Sequence, residues 1–250
     1  RRPARRARDV TGSALLIHGL GSAPDGWWRV RGWLAGDEHG EAGWQTSTVA
    51  LLGHGGRGPA ASYSLDAYAR DVLAAAPGPH DVVIGHSLGG SVATVLAAAD
   101  ASWTRRLVLL DPVWYIPADQ LPAIAADQVA ELAYTAETLA AAKPYWDERD
   151  RQGKLAAIAS VDPDAVARTF GEVTEWDLRP VASRIAVPTL VLGGDPAVYT
   201  MLEPADAYEI AEDALDMEHV IVPGAGHSPH RDAPDATRDI LLRWLTDTDR

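Results

Sequence analysis

The sequence predicts an α/β fold, a mostly parallel central sheet with helices on both faces and a helical segment inserted near its middle. Three observations predict it. Short apolar runs alternate with stretches of helical spacing from residue 14 to 110 and again from 187 to 246, the rhythm of βαβ units. Asp81–Val92 reads as strand, abrupt turn and small-residue helix, with Gly85-His-Ser-Leu-Gly89 at the turn. From about Val113 to Pro180 no strand-like run occurs, and the chain becomes Ala-rich and helical.

In order, Ala14–His18 is a short apolar strand running into the loop Gly19-Leu-Gly21. The Trp-rich stretch Asp25–Leu34 suits a short helix. Gln45–Leu52, with its β-branched residues, predicts a second strand ending at Gly53-His-Gly-Gly56. Leu65–Ala76 carries Leu65, Tyr68, Val72, Leu73 and Ala76 at helical spacing, with Ser64 or Asp66 as its cap. The apolar strand Val82–Ile84 and helix 88–99 follow, then the strand Arg106–Leu110 ending at Asp111-Pro112. The strand pattern resumes at Val187–Gly193, ending in Gly194-Asp-Pro196. A polar helix near 204–213, the strand His219–Val222, the loop 223–230 and an amphipathic helix at 234–246 complete the chain. The domain reading is therefore a basic arm at 1–9, a core made of 10–112 and 181–250, and a helical cap at 113–180.

The 250 residues, 47% hydrophobic, suit one sizeable domain. No Cys is present, which excludes disulfides, thiol nucleophiles and thiolate metal sites. No apolar run approaches membrane-spanning length. Arg1–Arg8 is basic, but no long apolar segment follows, so it does not make a complete secretion signal. A net charge of −13 disfavours nucleic acid and anionic membranes. The cytoplasm is the expected location, with secretion not excluded, and a monomer or homodimer the expected state.

The turn at Ser87 has the G-x-S-x-G layout of a nucleophile elbow, which exposes a serine hydroxyl above the strand ends. Such a serine needs a base, and the base an orienting carboxylate. Among eight histidines, His227 is favoured because it follows a strand in a glycine-rich loop. His230 is its rival three residues on. His86 should point away from Ser87, and His18 and His54 should fix their own loops. For the carboxylate, Asp195 is favoured, while Asp111 also ends a strand and keeps the same Ser…acid…His order. The oxyanion donors expected are the backbone N–H groups of Leu88 and Leu20, each such donor worth roughly 3–4 kcal/mol in the transition state.

These motifs make the chain resemble the α/β-hydrolase superfamily of esterase and lipase-like enzymes with a helical lid. The resemblance rests on Leu16-Ile-His-Gly-Leu-Gly21, Leu52-Gly-His-Gly55, Ile84-Gly-His-Ser-Leu-Gly-Gly90, Val187–Asp195 and Pro223-Gly-Ala-Gly-His227, and spans residues 10–246. Two departures stand out. The antiparallel N-terminal strands of the family are missing or reduced to one near Arg8–Thr11, and the acid loop is one residue tighter than the commoner Gly-x-x-Asp form. The resemblance implies cleavage of a small-molecule carboxylic ester through an acyl-enzyme, without cofactor or metal. Carbon–carbon, thioester or lactone cleavage and a small-molecule receptor are the alternatives. Serine at the elbow argues against relatives that use an aspartate there. Trp28, Trp114, Tyr115, Trp146, Trp176 and Tyr199 are the candidate substrate contacts, implying a mostly apolar substrate.

Overall fold

The structure, a computed structural model, describes residues 10–36, 43–214 and 216–247. The arm at 1–9 lies outside the described residues. The first part of the chain forms β1 (Val10–Ile17), a 3-10 turn at Pro24–Trp27, α1 (Trp28–Leu34), β2 (Gly43–Val49), α2 (Leu65–Ala75), β3 (Val82–His86), α3 (Leu88–Ala99) and β4 (Leu107–Leu110). The middle forms β5 (Tyr115–Ile116), α4 (Leu121–Ala130), α5 (Ala136–Ala142), α6 (Glu148–Ser160), α7 (Pro163–Gly171), β6 (Trp176–Asp177) and α8 (Arg179–Ala182). The last part forms β7 (Thr189–Gly193), α9 (Pro204–Asp213), β8 (Met217–Ile221), α10 (Pro229–Asp232) and α11 (Pro234–Thr246).

Six strands make one sheet in the order β2-β1-β3-β4-β7-β8, and every neighbouring pair is parallel. Alternate residues of each strand enter different cores, as the period of two requires. Leu15, Ile17, Val83, Leu107, Leu109 and Val191 pack with Tyr68 and Val72 of α2 and Val92 and Leu96 of α3. Ala14, Leu16, Val82, Ile84, Val108 and Leu190 pack with Val30 and Leu34 of α1 and Leu241 and Trp244 of α11. Burial on both faces is why these strands read as unbroken apolar runs. Each large side chain so buried stabilises the fold by about 1.5–3 kcal/mol.

Of the stretch near Arg8–Thr11, where the antiparallel N-terminal strands were expected to be missing or reduced to one, Arg8 and Asp9 lie outside the described residues, and Val10 and Thr11 belong to β1. Val10 begins β1 and pairs in parallel with Gly43. Parallel strands place their carboxyl ends on one edge, where ligands of such sheets sit. The loops after β1, β3, β4, β7 and β8 share that edge.

Between β4 and β7 the chain makes a long helical excursion. Its two ends are tied by the antiparallel ribbon β5–β6, with Tyr115 opposite Asp177 and Ile116 opposite Trp176. Leu178 N–H also donates to the Trp114 carbonyl at 2.6 Å. Two-residue strands are too short to leave a periodic pattern, so the sequence showed no strand here.

Candidate active site

Ser87 joins β3 to α3 at φ +52° and ψ −122°, a conformation costly for any residue with a side chain. Close backbone approach holds it there. Ser87 N–H donates to Leu110 O of β4 at 3.0 Å, and Ser91 N–H to Ser87 O at 2.9 Å. A Cβ on Gly89 would lie 2.2 Å from Ile17 O, and one on Gly85 would lie 2.6 Å from Gly89 O. Only glycine lets α3 start this close to β1 and β3.

His227, in the loop after the outermost strand β8, reaches this turn along the same edge of the sheet. Its Nε2 lies 2.8 Å from Ser87 Oγ, and its Nδ1 lies 2.6 Å from Asp111 Oδ2. The carboxylate can only accept, so Nδ1 carries the proton and Nε2 is free to accept from the serine hydroxyl.

The expectation that Asp195 orients His227 is corrected here: the carboxylate on the imidazole is Asp111. β4 lies beside β3, so its first loop residue sits next to the elbow, whereas Asp195 ends β7, one strand further out. A positive φ of +43° at Asp111 turns its side chain inward. Fully enclosed, that carboxylate also accepts from Gly194 N (2.8 Å), Thr200 Oγ1 (2.5 Å) and Met201 N (2.8 Å). Asp195 instead accepts from Ala197 N and Gly224 N at 2.9 Å each, pinning the loops after β7 and β8 together. Those two amides hold its pKa below the usual carboxylate value. The tight Gly193-Gly-Asp195 spacing was the one sequence feature pointing away from Asp195.

The loop after β1 is held by two neutral histidines. His18 Nδ1–H donates to Gly19 O (2.8 Å), and its Nε2 accepts from Leu51 N–H (3.1 Å). His54 Nδ1–H donates to Leu52 O (2.8 Å), and its Nε2 accepts from Gly21 N–H (3.1 Å). Burial, foremost, lowers the pKa of His18 to about 3 and that of His54 to about 4. Within this loop Gly21 N–H is bound to His54 and Ser22 N–H to Gly19 O (3.2 Å). Leu20 lies between them and lines the cavity at Ser87. Leu88 is the first residue of α3, where N–H groups lack intrahelical acceptors.

His86 points away from the Ser87 hydroxyl. Its Nε2–H donates to the backbone carbonyl of His227 at 2.8 Å, and its ring lies 4.9 Å from that of His230. His230 stacks on Trp27 at 5.1 Å, and the imidazole bonded to Ser87 Oγ is that of His227. Burial pushes the pKa of both well below the ordinary histidine value. The support that His86 gives His227 was not foreseen, since a carbonyl contact leaves no motif.

A cavity of about 280 Å³ opens over Ser87 and His227. Leu20, Val113, Ile124, Leu139, Phe170 and Met201 line it, together with charged groups. Of the six aromatic residues expected to meet substrate, Trp146 and Tyr199 line this cavity. The other four hold the helical excursion in place. Trp28 donates to Asp150 (2.8 Å), Trp114 to Thr94 (2.9 Å) and Trp176 to Val113 O (2.9 Å), while Tyr115 lies under the Arg179 guanidinium at 3.8 Å. Among the described residues, no group of three His, Asp or Glu side chains is arranged to hold a metal ion, and no helix is long and apolar enough to cross a membrane.

Similar proteins agree with this architecture. An uncharacterized protein of Mycobacterium tuberculosis (strain ATCC 25618 / H37Rv) is 28% identical over 98% of this chain and 79% of its own length. N-formylmaleamate deformylase of Pseudomonas putida is 27% identical over 68% of this chain and 66% of its own. An esterase of Exiguobacterium antarcticum superposes with a TM-score of 0.77 at 16% identity, covering 96% of this chain and 93% of its own, a likeness of fold alone. Residues 14–240 match the Alpha/beta hydrolase family. With a parallel six-stranded sheet and a strained serine at the end of its third strand, the chain belongs to that family.

Proposed function

We propose that this α/β hydrolase is a serine esterase that cleaves carboxylic esters through an acyl-enzyme. The observation carrying this reading is the unbroken hydrogen-bonded chain from Ser87 Oγ through His227 to Asp111. Ser87 attacks the ester carbonyl as His227 Nε2 takes its proton. Asp111 fixes the imidazole tautomer and stabilises the imidazolium. The oxyanion is received by Leu88 N–H and Leu20 N–H. His227 then protonates the leaving alcohol, water attacks the acyl carbon, and Ser87 regains its proton. Residues 113–180 act as the cap that shapes the acyl pocket.

Titration with a serine-directed phosphonate tests the reading. One covalent adduct per chain on Ser87, absent in Ser87→Ala, is expected, together with turnover of short p-nitrophenyl esters. No adduct, and no ester turnover above the Ser87→Ala control, rejects it. N-formyl compounds belong in the same panel, because the Pseudomonas putida relative is named as a deformylase.

A further inference from the structure

Arg231 is a buried cation that the proposed chemistry does not use. It sits four residues after His227 on α10, 6% exposed, and lines the same cavity as Ser87. Its Nη2 donates to Ser22 Oγ at 3.3 Å, and its guanidinium lies 5.0 Å from the Trp146 ring centroid. Nε is enclosed and has no hydrogen-bond partner. A Cβ on Gly26 would lie 2.6 Å from Nη2, so a glycine there leaves the room this side chain occupies.

No carboxylate of the described residues pairs with it. Asp150, Asp232 and Glu131 are the acids that act on its charge from a distance, and each is bound elsewhere. Asp150 accepts from Arg29 (2.7 Å) and Trp28 (2.8 Å). Asp232 accepts from Trp146 (2.6 Å) and Ser228 N (2.9 Å). Glu131 accepts from Lys154 (2.8 Å). A buried guanidinium with no carboxylate bonded to it, and with Nε unpartnered, retains hydrogen-bonding capacity that an anionic group can satisfy. The other charged groups at the cavity are Lys143, Lys154, Asp127 and Glu131. With Lys154 and Glu131 paired to each other, Arg231 and Lys143 are the remaining cations of the lining and Asp127 its remaining acid. Asp232 and Asp111 lie behind the lining, held by their own donors.

We propose that Arg231, with Ser22 beside it, forms an anion subsite that receives a carboxylate of the substrate, so that the preferred esters carry a free carboxylate at the end remote from the scissile bond. This replaces the mostly apolar substrate expected from the aromatic residues, and it rests on Ser87 being the nucleophile. A guanidinium takes a carboxylate with two parallel hydrogen bonds, which fixes orientation as well as affinity.

The test compares monomethyl esters of the C4 to C6 straight-chain diacids with neutral methyl alkanoates of matched length. At least one anionic ester is expected to exceed its neutral partner in kcat/KM by about 10–100-fold. In Arg231→Met that ratio falls toward one, and Arg231→Lys restores part of it. If neutral esters are hydrolysed as well as or better than every anionic partner, the subsite is refuted while the esterase reading stands. If no ester is turned over, the esterase reading fails, and titrating Ser87→Ala with glutarate and adipate by calorimetry still decides the subsite: saturable binding lost in the Ser87→Ala, Arg231→Met double variant supports it, and no binding refutes it. Should the methionine variants not fold, competitive inhibition of the wild type by glutarate, against glutaramide as neutral control, decides in their place; equal inhibition by both refutes the subsite.

Discussion

His227 Nδ1 lies 2.6 Å from Asp111 Oδ2, and that carboxylate is fully enclosed with donors on both oxygens. Gly194 N and Thr200 Oγ1 bind Oδ1, while Met201 N shares Oδ2 with the histidine. So many partners leave the carboxylate one orientation, and through it the imidazole has one too. His86 restrains His227 from its other side by donating to its backbone carbonyl.

Asp111→Asn is expected to lower kcat by about 10⁴-fold, because an amide in this position favours the wrong imidazole tautomer. Asp195→Asn is expected to change kcat by less than about tenfold, since Asp195 touches only loop amides. Steady-state kinetics on both variants, with circular dichroism to verify folding, checks the assignment. A larger loss in Asp195→Asn than in Asp111→Asn contradicts it.

His54→Ala is expected to reduce kcat by about 10–100-fold, the scale of a misplaced catalytic group. His54 Nε2 is the acceptor for Gly21 N–H, next to the proposed oxyanion donor Leu20. Phosphonate labelling of Ser87 should slow in the same proportion. Wild-type kcat in a folded His54→Ala protein would show that this loop needs no such support.

Stability is expected to fall as pH drops below 6.5. His18 and His54 titrate near 6.5 when unfolded, but at about 3 and about 4 when folded. Below 6.5 the unfolded chain therefore binds more protons, and stability declines with falling pH. Above 6.5 their contribution is fully present. These two residues alone account for about 4 kcal/mol between pH 7 and pH 5. His86 and His230, also held neutral, act in the same direction. Urea unfolding midpoints at pH 7, 6 and 5 measure this, and a midpoint that stays level across that range contradicts it.

Two glycine replacements should have opposite effects. Gly89→Ala places a Cβ 2.2 Å from Ile17 O, backbone that cannot move without displacing β1, so loss of soluble protein or a sharply lower Tm is expected. Gly153→Ala, inside α6 with open space around it, is expected to stabilise by about 0.5–1 kcal/mol. Thermal melts of both variants provide the check. A Gly89→Ala protein as stable as the wild type would contradict the close approach at the elbow.

Sequence alone determined the layer architecture, because strands buried on both faces must be apolar throughout and their connecting helices must carry one apolar stripe. The elbow was equally legible, since Gly85, Ser87 and Gly89 form a pattern within five residues of chain, although the approach that requires Gly89 is to Ile17 O of β1. His227 was recognisable from its glycine-rich loop after a strand. Asp111 and Asp195 were not separable, because both end apolar strands in the same chain order, and only the placement of β4 beside β3 brings one of them to the imidazole. Tertiary structure also decided the cavity lining. Trp28, Trp114, Tyr115 and Trp176 share composition with Trp146 and Tyr199 but serve packing. Arg231 became visible only when the carboxylates around it were found bound to other donors. Such partnerships join residues up to 122 positions apart in the chain, as for Trp28 with Asp150, a separation over which local spacing carries no information.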